Sequence, residues 1–221
     1  MPEFTTPPPL SRGDQVAIVA PSSGRAATYP HVYELGLERL RTVFDLEPVE
    51  FPTATEDDEH LASRPEARAA DVMDAFRDPE IRGVLTTIGG SDQLRVLEHL
   101  DPTVLREHPT RFYGISDNAN LASYLWTDGI VSYYGGTVMT TLAMQGSMTS
   151  YSVEYLERAF FESSIGEIEP SDRFTDEDLD WADPETLDQR RAFEDNAGWR
   201  WAGSDQRAEG RVWGGCLEVL V

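Results

Sequence analysis

The sequence predicts an α/β protein: a mostly parallel, Rossmann-like sheet with helices on both faces, followed by the beginning of a second, C-terminal domain. Two observations carry this prediction. Short apolar runs alternate with amphipathic stretches of helical length from residue 15 to about residue 144, the pattern of β-strands joined by helical crossovers. Several of the runs also end in Gly/Ser-rich turns, which suit the passage from a buried strand to a helix. After about Ser163 the alternation stops. Residues 1–165 are therefore expected to form an N-terminal α/β domain, and residues 166–221 an acidic linker and the start of an incomplete C-terminal domain.

The elements follow in order. Residues 1–14 form a Pro-rich lead-in, and Gln15–Pro21 is an apolar strand closed by the turn PSSG. His31–Phe44 has Val32, Leu35, Leu40 and Val43 spaced for an amphipathic helix. Glu47–Phe51 is a second strand, and Pro65–Phe76 a second helix with Ala69, Val72, Met73 and Phe76 on one side. Gly83–Ile88 is a third strand ending in Gly89-Gly90, followed by a helix over Ser91–Leu100 with Ser91 as its N-cap. Arg111–Ile115 is a fourth strand that runs into Ser116 and a helix over Asn118–Thr127. Ile130–Tyr134 is a fifth strand, followed by Gly135-Gly136 and a helical stretch over Val138–Met144. The tail closes with the apolar run Arg211–Val221, which contains the single cysteine, Cys216. A lone cysteine in such a run is expected to be inert, and it cannot form an internal disulfide.

Composition narrows the function. The 221 residues carry 40 Asp+Glu against 18 Lys+Arg, a net charge of -22, and all of the basic residues are arginine. An acidic, lysine-free surface with ordinary apolar content suits a halophilic protein, since carboxylates hold water and counterions while salt screens their repulsion. On that reading the melting temperature rises from 0.1 to several molar KCl, and a flat or falling curve contradicts it. The same charge argues against nucleic acid and anionic membranes as partners. The N-terminal MPEFTTPPPL has neither a basic region nor an apolar core, so no signal peptide is expected, and no run approaches membrane-spanning length. A cytoplasmic location is the default expectation. No Cys/His pattern suggests a metal, and no organic cofactor is implied.

In a parallel α/β sheet, chemistry collects where strands end and helices begin. Four such edges stand out: Pro21–Gly24, Ile88–Asp92, Gly114–Asn120 and Tyr133–Gly136. None matches a dinucleotide or P-loop fingerprint. The third, GISDNAN, is the most specific. Ser116 follows a buried strand directly, precedes a helix, and has Gly114 two residues earlier, the layout of a nucleophile elbow. Asn118 stands where the second glycine of G-x-S-x-G would be. The alternative is a serine that merely caps its helix. Asp117 could orient a substrate ammonium or simply complement the helix dipole. The tryptophans Trp181, Trp199 and Trp201 could stack on a ligand, but a linker or interface role fits them better.

Taken together, PSS, IGGSD, GISDNAN, YYGGTVMT and EGRVWGGCLEVL, in this order and spacing, resemble the LD-carboxypeptidase and microcin-immunity family of serine peptidases. The resemblance implies that Ser116 is the nucleophile of a Ser–Glu–His triad. It implies an oxyanion hole from the backbone N–H groups of Gly90 and Asp117, with Gly89 and Ser91 beside the substrate. IGGSD lies closer to the microcin-immunity form, which leans the substrate toward small peptide or aminoacyl-nucleotide conjugates, and the family implies a homodimer. The triad's glutamate and histidine are expected outside this chain. All four histidines, His31, His60, His99 and His108, precede Ser116, whereas elbow triads usually run serine, acid, histidine. His99 and His108 are expected at the wrong sheet edge; His31 and His60 follow strands and could reach the right one. The chain is therefore expected to be inactive alone. Two other readings are a non-catalytic ligand-binding remnant and a Rossmann-like nucleotide-binding module.

Overall fold

In the computed structural model, which describes residues 3–203 and 207–220, the apolar runs form one parallel sheet. Its strands are β1 (Gln15–Val19), β2 (Glu47–Glu50), β3 (Ile81–Thr86), β4 (Arg111–Gly114) and β5 (Tyr133–Tyr134), in the order β2-β1-β3-β4-β5. Every neighbouring pair is parallel. Parallel neighbours require crossovers, which here carry α1 (Arg25–Thr28), α2 (Pro30–Phe44), α3 (Asp58–Ser63), α4 (Pro65–Arg77), α5 (Leu94–Leu97), α6 (Pro102–Glu107) and α7 (Ala119–Thr127). Beyond the sheet lie α8 (Ser150–Phe161) and α9 (Leu217–Leu220).

Alternate residues of each strand feed two separate cores. Val16, Ile18, Leu85 and Tyr113 face α2, α8 and the turn near Val138. Ala17, Val19, Val84 and Phe112 face α4, α5, α6 and α7. A sheet buried on both faces favours apolar residues on both sides of its central strands, as in Val16–Val19 and Val84-Leu85. α2 packs closely on the π-helical turn Val138–Leu142: a Cβ at Gly36 would lie 2.3 Å from the Val138 carbonyl oxygen.

Buried arginine ties the outer pieces down. Arg111 on β4 is fully buried, and it donates to the carbonyls of Pro7, Ala159, Phe160 and Glu162. A buried guanidinium is tolerable when its donors are satisfied in this way. Tyr113 beside it donates to the Ala159 carbonyl at 2.8 Å, and burial pushes its hydroxyl pKa up.

Three elements differ from the sequence expectation. β5 is only two residues long. Ile130 instead bridges Thr5, with Thr5 N–H donating to the Gly129 carbonyl and Val131 N–H to the Thr5 carbonyl. The lead-in thus lies along the sheet edge, pairing where its prolines do not remove the donor. The expected helix over Ser91–Leu100 shrinks to Leu94–Leu97, with Gln93 rather than Ser91 at its N-cap position. Helix α8 was not expected, although Thr149 caps it and Leu156, Ala159 and Phe160 share its buried face. Finally, within the apolar run that closes the tail, Leu217–Leu220 form a helical turn.

The acidic stretch is docked on the α/β body. The Gly146 N–H donates to the Leu187 carbonyl at 2.7 Å, and Arg191 donates to Gln145 Oε1 at 2.7 Å. Trp181 packs edge-on against Tyr29 with ring centroids 5.7 Å apart, an anchoring role for this side chain. Strands β6 (Arg173–Phe174) and β7 (Glu194–Asp195) form a separate antiparallel pair. Among the described residues no helix is long and apolar enough to cross a membrane.

Candidate active site

Because the five strands run the same way, their C-terminal ends open at one edge, and three of the four expected turns line one cavity there. Ser22 and Ser23 come from the turn after β1, Ile88–Asp92 from the turn after β3, and Ile115 and Ser116 from the turn after β4. The cavity measures about 870 Å³. Tyr133–Gly136 instead line a second, apolar cavity of about 790 Å³ with Phe4, Trp126 and Trp213.

Ser116 opens the 3-10 turn Ser116–Asn118, which runs into α7. Its φ is +56°, in the left-handed region. A non-glycine residue there costs about 1–2 kcal/mol, so the surrounding structure must hold it. Among the described residues only Asp45, at the C-cap of α2, is another non-glycine with positive φ. The N-cap position belongs to Ile115, no side chain caps the turn, and Ser116 Oγ does not hydrogen-bond the backbone ahead of it. The capping alternative therefore does not describe this serine. A strained turn that leaves a hydroxyl at a cavity wall is the geometry of a nucleophile elbow.

The two glycines beside it are steric necessities. A Cβ at Gly114 would lie 2.6 Å from Asn118 Cβ, and one at Gly89 would lie 2.7 Å from Ser116 Cβ and 3.2 Å from Ser116 Oγ. Gly90 packs on the first turn, where a Cβ would lie 3.1 Å from Ser22 Cβ.

Asn118 explains the missing second glycine of the motif. It is fully buried, and its Nδ2 donates to the carbonyls of Ile88 and Ile115 at 3.1 and 3.0 Å. Its Oδ1 accepts from Gln93 Nε2 at 2.7 Å and from Ser22 Oγ at 3.4 Å. One side chain therefore clips all three turns together. Gln93, also fully buried, accepts the Leu121 N–H through Oε1 at 2.9 Å.

Asp117 lies in the first turn of its helix, as the helix-dipole reading has it, and it also bridges to the neighbouring turn. Its buried carboxylate accepts the backbone N–H groups of Asp92 and Gln93 at 3.0 and 2.8 Å, and Asn120 Nδ2 at 2.9 Å. It thereby satisfies the start of the short helix that Ser91 was expected to cap. Its side chain is spent on the Gly90 turn and does not line the cavity, so the substrate-ammonium role is not met. The Gly90 N–H donates to no backbone carbonyl among the described residues.

Charge around the cavity departs from the rest of the molecule. Arg25 and Arg95 line it together with Asp58 and Asp92. Asp92 is paired at 2.9 Å with Arg68, a fully buried arginine that also donates to the carbonyls of Pro21 and Ser22. Arg68, Gln93, Arg25 and Arg95 were not singled out from sequence. Arg68 left a signal, since it shares a helix face with Val72 four residues on.

No histidine lines the cavity. His31 Nε2 is 2.7 Å from the Trp181 carbonyl oxygen, His60 lies 3.4 Å from Glu56 and His99 3.6 Å from Glu98, and His108 ends α6. Among the described residues no group of His, Cys, Asp and Glu side chains could hold a metal ion.

Comparison with known proteins gives this arrangement its context. The family described as the LD-carboxypeptidase N-terminal domain matches residues 16–135. A crystal structure of an MccF-like protein from Streptococcus pneumoniae in complex with AMP superposes with a TM-score of 0.86 at 32% identity, covering 94% of this chain and 62% of that one. An MccF-like protein from Bacillus anthracis superposes at 0.77 with 27% identity, covering 88% and 57%. Among curated relatives, Bacillus subtilis YocD, which carries a carboxypeptidase name, is 30% identical over 171 residues, 76% of this chain and 51% of its own length. The chain spans about half the length of the curated relatives it matches.

Proposed function

Since the chain belongs to the LD-carboxypeptidase family, we propose that it is the nucleophile-bearing part of a serine carboxypeptidase or amidohydrolase acting through an acyl-Ser116 intermediate. The observation that carries this is Ser116 itself, held at φ +56° on a strand-to-helix turn with its side chain at the wall of a polar cavity. Ser116 Oγ would attack the scissile carbonyl, and the backbone N–H groups of Gly90 and Asp117 would receive the oxyanion. Gly89 and Ser91 would flank the substrate. We place the domain division near residue 165, with the acid and base of the triad outside this chain, and carry the homodimer and the halophilic surface as further parts of the same reading.

We assign the substrate to small anionic conjugates, aminoacyl-nucleotide-like or peptidyl. Two observations support this. Arg25 and Arg95 line the cavity and balance Asp58 and Asp92, so it is not acidic in a chain whose net charge is -22. The Streptococcus pneumoniae relative binds AMP, and the microcin C7 self-immunity protein MccF, at 19% identity, was crystallised with aspartyl sulfamoyl adenosine.

Titrating the ¹⁵N-labelled chain separately with AMP, an aminoacyl sulfamoyl adenosine and an LD-linked murein peptide tests the assignment. Amide shifts at Gly89, Ser91 and Ser116 are expected with at least one probe, and Arg25→Gln is expected to weaken that binding about fivefold, the loss of roughly one exposed charge contact. Shifts confined to other surfaces with all three probes would contradict it.

A further inference from the structure

We propose that Tyr134 is a positioning residue for Ser116: its hydroxyl accepts the Ser116 N–H and so holds the serine in its left-handed turn. The contact is 2.9 Å. It rests on a problem created by the fold. Pairing between β4 and β5 ends at Gly114↔Tyr134, so Ser116, two residues further on, has no ladder partner for its N–H. As the first residue of its helical turn, Ser116 has no intrahelical acceptor for that N–H either. The N–H is open to solvent, so without a fixed acceptor it bonds to mobile water and adds nothing to hold the left-handed turn.

Tyr134 is placed to prevent this. Its backbone is fixed opposite Gly114 by the strand register, and the next N–H, of Gly135, donates to the Gly114 carbonyl at 2.9 Å. Gly135 and Gly136, at φ +141° and +68°, then lead the chain away, so the ring stays beside the elbow. A tyrosine has the reach to bring an acceptor from one strand end to the turn of the next, with few rotamers to freeze. This also accounts for a strand only two residues long: β5 supplies the anchor for one side chain. The tyrosine acts through Ser116 and is assigned no contact with substrate.

The role presumes that Ser116 is the nucleophile, but the contact can be tested apart from that. Tyr134→Phe keeps the ring and removes the acceptor. In the 221-residue chain, the Ser116 amide is expected to exchange with deuterium at least tenfold faster, and its Cα and Cβ shifts to leave left-handed values. The Gly135 amide should keep its protection. Fluorophosphonate labelling of Ser116 should slow about tenfold, with its pH profile unchanged in shape. A second measurement avoids any question of folding. With 3-fluorotyrosine at position 134, ionising the ring makes it a stronger acceptor, and the Ser116 amide proton should move downfield along the same titration curve. A Ser116 amide indifferent to both changes would overturn the proposal. A Ser116 that follows Tyr134 but never labels would uphold the contact and remove the nucleophile instead.

Discussion

Replacing Asn118 with glycine is expected to lower the unfolding free energy by about 3 kcal/mol, even though it restores the usual G-x-S-x-G spelling. The side chain is fully buried and holds Ile88, Ile115, Gln93 and Ser22. Ile115 keeps a second donor in the Asn118 N–H, but Gln93 Nε2 would be left buried, and the Ile88 carbonyl half-buried, without this partner. Each such orphan costs roughly 1–3 kcal/mol. Denaturant midpoints of the two proteins measure the difference. A variant as stable as the parent would mean that the three turns are held by something other than this clip.

The second large effect concerns catalysis. The 221-residue chain is expected to turn over LD-peptide and aminoacyl-nucleotide conjugates on the order of 10⁶-fold more slowly than a complete triad would, the loss seen when a serine enzyme is stripped of its base. The serine hydroxyl needs a base within hydrogen-bond reach, and no histidine lines its cavity. His31, which the sequence left as a contender, faces the Trp181 carbonyl. His60 sits on α3, whose Asp58 and Ala62 do line the cavity, but its ring lies beside Glu56. Lysine offers no substitute in a chain without one. Steady-state assays with each substrate class, in parallel with Ser116→Ala, give the number. Robust Ser116-dependent turnover would place the base inside the chain, with His31 the first to replace.

Local patterns in the chain carry the sheet and the elbow, whereas contacts between distant turns leave little mark on it. Unbroken apolar runs such as that from Val16 to Val19 announce a strand buried on both faces, and the sheet with its strand-to-helix turns follows from them. Ser116 was legible because an elbow is a local device: a strand, a small residue and a helix within a few positions. Its partners were not. Asn118 and Gln93 act through contacts between turns about 25 residues apart in the chain, and polar residues in a loop look alike whether buried or solvated. The same limit explains Ser91, a good capping residue displaced by the Asp117 carboxylate arriving from the next turn. It also explains Ile130, drawn to the N-terminal Thr5 rather than into β5. Helix α8 is another matter. Thr149 and the spacing of Leu156, Ala159 and Phe160 were there to be read.

The central claim is that Ser116 is a preorganised nucleophile awaiting its base, and mapping a fluorophosphonate adduct by peptide mass spectrometry tests it most directly. The chain is compared with a chimera in which it is joined to the part of the Streptococcus pneumoniae relative that it does not span. The chimera is expected to acquire one adduct, on Ser116, within minutes; the chain alone should label at the same residue only over hours, and Ser116→Ala should abolish both. An adduct on any other residue, or a Ser116 that stays unmodified in a folded chimera, would contradict the account.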